Sequence, residues 1–384
     1  MASSVRNISV SCFISLLWIV TFIMHLLFSE GRRIPSNERP GLVKPPEGTI
    51  KTIEADDGEV VDCVDINKQP AFQHPLLKHH QIQMEPSRYP KGITRTKASV
   101  PDIIQRWRVK GECPTGTIPI RRSIITKSPI VKQLNFSLSA SISPHQYSVI
   151  HYFAPTPGEI QGAHGTIDVW KPVVDKLTDF SLTQIWVIAG DDSNTNTMEA
   201  GWQVYPARTG DNQTRLFIYW TADNYDNTGC YDLTCPGFVQ CTNQIAIGAP
   251  LNVSTIDGKQ VEMELLIEKD NKTGNWWLYI HNTTVGYWPS SIFTSLTNGA
   301  DRIDWGGELY SSSKKKATQM GSGRFANTGY GNASYVRELW YTDSSGAQVF
   351  PSQFSPTITM PSCYNMVLNN TASGYIYYGG PGCT

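Results

Sequence analysis

The stretch NWWLYIHNTTVGYW, residues 275–288, gathers aromatic and β-branched residues into short runs broken by polar ones. The same texture recurs on either side of it, in YSVIHYF, GTIDVW, FSLTQIWVIAG, RLFIYWTA, QVEMELLIE, YVRELWYT and GYIYYGG. Gly, Asn, Asp and Pro separate these runs. Short strands divided by turn residues mark an antiparallel sandwich or barrel. No internal repeat and no long amphipathic helix competes with that pattern, so an all-β domain is expected from about Tyr147 to the end.

Upstream the composition changes. From Glu30 to about Ser128 the chain is rich in Pro, Lys, Arg and His and short of periodic runs, and it carries 17 Lys and Arg against 12 Asp and Glu, a net of +5. From Pro129 onward the count is 14 against 21, a net of −7. The whole chain of 384 residues is close to neutral, with a net charge of −1. That excludes a nucleic acid or membrane surface recruited by overall charge. The longest basic run, Lys314-Lys315-Lys316, is expected to be a solvated loop.

An apolar run from Cys12 to Phe28 follows Arg6 and ends in the polar SEGRR, as a cleaved signal peptide over residues 1–29 would. Seven cysteines remain beyond it, and an oxidising compartment pairs most of them. Sequons at Asn135, Asn212, Asn252, Asn271, Asn282, Asn332 and Asn369 fit a secreted glycoprotein. After signal removal no stable membrane association is expected.

Two glutamates stand where strands normally present apolar side chains: Glu199 in MEAGWQV and Glu308 in IDWGGELY. Alternation groups Glu199 with Gly201 and Gln203 on one face, and Asp304, Gly306, Glu308 and Tyr310 on another. Each glutamate thus has a glycine two residues away, which suggests room for a substrate backbone; the simpler alternative is two solvent-facing carboxylates. HExxH, GxSxG and Asp-Thr/Ser-Gly signatures are missing, and His79-His80 lack a third spaced metal ligand. No metal or other cofactor is expected.

EAGWQVYP, TGCYDLTCPGFVQCTNQIAIGA, GNWWL, VGYWP, GGE, TQMGSG and YYGGPG occur in an order that resembles the neprosin family of plant glutamic peptidases. VDCVDINKQPAFQHPLLKHH and CPTGTIPIRR resemble that family's activation peptide. The resemblance implies a secreted zymogen of the cell wall or apoplast. Its activation peptide would span residues 30–128 and a linker 129–146. A catalytic, jelly-roll-like β-sandwich of two large sheets would fill 147–384. It further implies catalysis by Glu199 and Glu308, disulfides Cys230–Cys235 and Cys363–Cys383, and acid-dependent cleavage of peptides and proteins next to proline. Cys63–Cys113 would then close within the activation peptide and Cys241 would remain free. The protein is expected to be a monomer that carries its activation peptide as an intramolecular inhibitor.

In that setting one glutamate would activate water and the other would act as acid, sharing a proton at low pH. Gln203 and Tyr310 are candidates for oxyanion donors. Trp202 and Trp220 are candidates for holding substrate, within a larger set that includes Trp276, Trp277, Trp288 and Trp305 and is expected to be mostly core. A β-sandwich glycosidase and a carbohydrate-binding or wall-binding module without catalysis are the rival readings. The +5 segment is further expected to mask the cleft of the −7 domain and to leave in acid, when carboxylates neutralise and His74, His79 and His80 gain charge. Cleavage would follow between Arg121 and Gln146, with Pro129 and Pro144 as expected neighbours of the cut bond.

Overall fold

The computed structural model describes residues 43–91, 105–122, 144–312, 317–369 and 374–383. The apolar N-terminal run, Asn135, Pro129 and Lys314–Lys316 lie outside them. Two antiparallel sheets pack face to face. One has seven strands in the order β17 (Ser355–Ile358), β4 (His145–Phe153), β14 (Arg302–Tyr310), β6 (Phe180–Ala189), β7 (Asn196–Val204), β8 (Arg215–Thr221) and β9 (Cys230–Tyr231). The other has nine. Its path runs β10 (Val239–Gln240), β13 (Thr283–Trp288), β12 (Trp276–Ile280), β11 (Glu262–Lys269), β5 (Gly162–Asp168), β15 (Ser334–Thr342), β19 (Tyr375–Gly379) and β18 (Asn365–Asn369), with β16 (Gln348–Val349) beside β15.

The inward faces make one core. From the smaller sheet come Ile185, Val187, Ala200, Trp202, Ile218, Trp220, Ile303, Trp305 and Leu309; from the larger come Ile167, Leu265, Ile267, Trp276, Leu278 and Val336. A buried indole usually finds an acceptor for its N–H. Three do so on main-chain carbonyls: Trp202 Nε1 donates to Asp168 O at 2.7 Å, Trp305 Nε1 to His164 O at 2.9 Å and Trp276 Nε1 to Leu296 O at 3.0 Å. The first two tie one sheet to the other, and the third fastens the larger sheet to the 3-10 turn Ser295–Thr297. The proposed substrate roles of Trp202 and Trp220 therefore fail, because both side chains point into this core, away from the glutamates.

Strand β6 is buried along its whole length. Its inward residues join the core, while Phe180, Leu182, Trp186 and Ile188 gather on the opposite face with Tyr205, Phe217 and Tyr219. A strand buried on both sides reads as a continuous apolar run rather than an alternating one. Ile185–Ala189 does so, whereas Ser181, Thr183 and Gln184 are polar residues buried in the first half of the strand.

The segment before the sandwich folds as a three-stranded sheet, β1 (Thr49–Glu54), β2 (Val60–Asp65) and β3 (Thr117–Arg121), closed by Cys63–Cys113. Cys230 is joined to Cys235 and Cys363 to Cys383, and Cys241 is a free thiol. This small sheet hangs on the edge of the sandwich: Ile120 bridges Ile247, whose neighbours Gly248 and Ala249 bond to Leu216 of β8. Edge strands need such cover. Two buried glutamines extend it. Gln105 both donates to and accepts from Ala246, at 2.8 Å each, and Gln69 accepts from Gln240 N at 2.8 Å while donating to Gln240 O at 3.2 Å. Each side-chain amide thus takes the place of a neighbouring strand.

Glu59 supplies the charged contact. Its carboxylate accepts from Arg215 Nη2 at 2.5 Å and from Arg121 Nε at 2.8 Å, and Arg215 also donates to Asp211 and to Gly248 O. The two arginines hold Glu59 below the ordinary carboxyl range although burial pushes the other way. The described part of the segment thus docks on the β8 edge and, through residues 69–91, on the outer face of the larger sheet. It reaches the rim of the glutamate-bearing face at Arg215 without bonding either glutamate. Of the segment to Ser128 that was expected to mask the cleft, residues 30–42, 92–104 and 123–128 lie outside the described residues.

Glu59→Ala leaves the buried Arg215 with a weaker set of partners, which should reduce docking by about 2–3 kcal/mol. Amide exchange across Val60–Asp65 at neutral pH measures this, and unchanged protection would show that the ion pair contributes nothing.

Candidate active site

Glu199 and Glu308 lie on the outward face of the seven-stranded sheet, on the two strands that flank β6. Glu308 pairs with Leu182 of β6 and Tyr147 of β4, whereas Glu199 pairs with Trp186 of β6 and Tyr219 of β8. Between these rows Gln184 is flanked by Gly306 and Gly201. The glycines have a backbone cause. A Cβ at Gly201 would sit 1.9 Å from Thr183 O, and one at Gly306, where φ is +141°, would sit 2.4 Å from Ser148 O. Close approach of neighbouring strands, rather than space kept for a substrate, fixes glycine at both positions.

Neither glutamate points to solvent: they are 6% and 4% exposed. Glu199 is wrapped in donors. Tyr225 OH reaches Oε1 at 2.7 Å, Thr197 Oγ1 reaches the same oxygen at 2.9 Å, and Gln184 Nε2 reaches Oε2 at 2.9 Å. Burial nevertheless raises its carboxyl to about 7, with a further push from the charge of Glu308 against the lowering effect of the donors. Removal from water is thus the main reason that Glu199 holds a proton, and the neighbouring carboxylate is a lesser one.

Tyr225 reaches Glu199 by an uncommon backbone path. Asn224 and Tyr225 have φ of +56° and +63°. Non-glycine residues adopt that region rarely, and it costs free energy unless the surroundings impose it. Here Asp223 imposes it by accepting from Thr228 N, Thr228 Oγ1 and Asn227 N, while Tyr225 N donates to Thr221 Oγ1.

Glu308 has a different neighbour. Its Oε1 lies 2.6 Å from His145 Nδ1 and accepts from Tyr147 OH at 3.2 Å. Tyr310 and Phe180 set their rings edge-on to His145, at 5.2 Å and 5.8 Å between centroids. The short contact between carboxyl and ring nitrogen fixes the orientation of both groups.

Of the other expected site residues, Gln203 shares the row of Glu308 and Leu182, and Tyr310 lies on the same face two residues beyond Glu308. The buried Gln203 amide has no hydrogen-bond partner for either of its polar atoms among the described residues. No tryptophan of the expected set faces the glutamates. Among the described residues, the tryptophan that does is Trp186. Gln184, Thr197, Tyr225, His145, Tyr147 and Trp186 were missed, and for Gln184 and Trp186 the signal was available: alternation along FSLTQIWVIA puts them on one face. Asn212, Asn252, Asn271 and Asn282 are exposed and Asn332 and Asn369 partly so.

Comparison with known families matches residues 177–381 to the Neprosin family model and residues 52–146 to that of the Neprosin activation peptide. Among solved structures, scytalido-glutamic peptidase with a peptide-based transition-state analogue is similar at 12% identity, over 62% of this chain and 98% of that one, with a TM-score of 0.31. SCP-B, a member of the Eqolisin family of peptidases, in complex with the tripeptide Ala-Ile-His, is similar at 9% identity over 62% and 98%, with a TM-score of 0.30. CG-16, a homodimeric agglutinin from chicken liver, is similar at 8% identity over 44% and 97%, with a TM-score of 0.22. All three scores are low, and no functional conclusion follows from them.

A carboxyl raised to about 7 on folding binds its proton more tightly in the folded chain, so its penalty is absent below the unfolded value near 4.5 and grows as pH rises through 7. Glu199→Gln removes that penalty, which amounts to about 3 kcal/mol at full ionisation. Urea unfolding in a Glu308→Gln background, which prevents self-digestion, should therefore show Glu199→Gln stabilising at pH 8 relative to its effect at pH 4. An effect independent of pH would show that Glu199 titrates as an ordinary carboxyl.

Proposed function

The chain belongs to the neprosin family, with that family's activation peptide ahead of the catalytic domain, and on that premise we propose that it is the zymogen of an acid-active glutamic endopeptidase that cuts next to proline. One observation carries the proposal: two buried glutamates share a sheet face in unlike environments. Glu199 keeps its proton to about 7, and Glu308 faces His145. Pairs of carboxyls separated in this way divide the acid and base roles between them.

Glu308 is then the base. It takes a proton from a water molecule whose oxygen attacks the scissile carbonyl, and His145 holds the carboxylate in place. Glu199 is the acid, first hydrogen-bonding the carbonyl and later giving its proton to the leaving nitrogen. The hydroxyls of Thr197 and Tyr225 can turn to accept from the protonated carboxyl and to donate to the ionised one, so both states are satisfied. The unpartnered amide of Gln203 is suited to the developing oxyanion.

Acid also acts on the activation segment. Glu59, Asp270, His74 and His80 all belong to its contacts or its own fold, and all four are held below their ordinary values: the carboxyls despite burial, the histidines because of it. Depressed carboxyls contribute stability that is present above about 4.5 and lost as pH falls through their folded values. The histidines contribute theirs above about 6.5 and lose it in the same direction. Asp168, Glu199 and Glu268, raised to about 8, 7 and 7, behave oppositely and favour the folded sandwich in acid. These particular contacts, more than the net charge of the two halves, support release in acid. Three disulfides and the exposed sequons support a secreted protein.

Glu199→Gln and Glu308→Gln should each lower turnover of a proline-containing peptide at about pH 4 by more than about 100-fold, a typical loss for one acid or base, with unchanged circular dichroism. His145→Ala should lower kcat by about tenfold or more and leave KM nearly unchanged; wild-type rates in either glutamine variant would remove the pair from the mechanism.

Incubation of the full chain should leave it intact at pH 7 and remove the segment only below about pH 4.5, the ordinary carboxyl value, with the cut mapped by N-terminal sequencing between Arg121 and Gln146. Glu59→Gln should raise that threshold. Prompt removal at neutral pH, or by the double-glutamine variant alone, would contradict both the acid trigger and self-processing.

A further inference from the structure

The larger sheet has an outer face, on the opposite side of the sandwich from the glutamates. Val239, Leu266, Trp277, Tyr279 and Tyr287 form an apolar cluster there, with Trp340 beside it. All five are buried because Ala71, Phe72, Ile82 and Tyr89 of the activation segment lie over them. Release of the segment would bare a contiguous aromatic surface, and surfaces of that kind on soluble proteins mark binding sites.

We propose that this face, once vacated, is an exosite that holds an extended, proline-containing and basic stretch of the protein being cut. The inference rests on the peptidase reading. What now lies on the face indicates what fits it. Residues 81–91, QIQMEPSRYPK, cross it without regular secondary structure and carry Pro86 and Pro90. They are held by main chain and side chain together: Gln83 N donates to Tyr287 OH at 2.9 Å and Ser87 N, directly after Pro86, to Asp270 Oδ2 at 2.7 Å, while the Gln83 amide donates to Asp270 Oδ2 at 2.7 Å and accepts from Asn275 Nδ2 at 2.8 Å. Contacts to main-chain donors do not select side chains, so other sequences can make them. Pyrrolidine rings have flat partners in Trp277 and Tyr287, whose rings lie 4.7 Å apart.

Two further features point to a ligand. The fully buried Trp277 has an indole N–H with no hydrogen-bond partner among the described residues. The described part of the segment leaves this donor unused, and a prolyl carbonyl could take it. Charge selects as well: the Asp270 carboxylate stands on this surface, where it accepts from Ser87 N and Gln83 Nε2. A long substrate that engaged both this face and the glutamates would raise its own effective concentration at the cleft, whereas a short peptide could not span the two.

The test needs no turnover, so it is independent of catalysis. A Glu199→Gln chain is cut at a protease site placed within residues 123–143, washed at about pH 3, where carboxylates are largely protonated, and returned to pH 5. Retained circular dichroism shows that the sandwich is intact. An unrelated basic, proline-rich peptide and its proline-to-alanine counterpart are then titrated against tryptophan fluorescence, with the uncut chain as control. The proline peptide should bind at least tenfold more tightly than its counterpart and not bind the uncut chain. Asp270→Asn should weaken it by about tenfold, the usual effect of losing a hydrogen bond to a charge. Equal affinity for the two peptides, equal binding to the uncut chain, preference for a cell-wall oligosaccharide, or a segment that cannot be washed off would each overturn the proposal.

Discussion

The site depends on the cost of keeping a carboxylate away from water. Strand β6 is buried on both faces, and the glutamates of the strands on either side are buried with it. An isolated ionised carboxyl in such a place would be strongly unfavourable, so each glutamate must either keep its proton or find a cation. Glu199 takes the first course, whereas Glu308 lies against the ring nitrogen of His145. The proposed division of chemical labour rests on this difference.

The same rule organises the chain in front of the sandwich. Glu59 is as buried as the site glutamates, but two arginines surround it and it remains ionised. Two kinds of buried acid thus stand out among the described residues: Asp168, Glu199 and Glu268, which resist ionisation inside the sandwich, and Glu59 and Asp270, held ionised where the segment docks. A single change of medium acts on them in opposite directions.

Much of this was legible in the sequence. Runs such as RLFIYWTA and FSLTQIWVIAG gave the strands, alternation put Glu199 with Gln203 and Glu308 with Tyr310 on one face of their respective strands, and the family motifs singled out the two glutamates; that the two faces are one comes from the pairing of both strands with β6. Alternation also put Trp202 on the opposite face from Glu199, where the core fixes it through Asp168 O. What remained hidden arises from tertiary structure. Tyr225 reaches Glu199 only because Asp223 forces two residues to positive φ, and His145 meets Glu308 only because β4 pairs with β14 across 163 residues of chain. The glycines beside the glutamates were visible, but their cause, a steric collision with the adjoining strand, belongs to the pairing and not to the pattern.

Gln69 and Gln105 attach the activation segment through side-chain amides, which do not titrate, and the apolar contacts around Trp107 and Phe72 are likewise indifferent to protons. Acid consequently removes only part of what holds the segment. Its docking surface survives the cut with its shape and its neutral hydrogen bonds intact, so a severed segment that has not yet diffused away is still a ligand. Neutralisation at that moment would restore the charged contacts and return the segment to its seat, so the proposed activation would be reversible at its early stage even after a peptide bond had been broken.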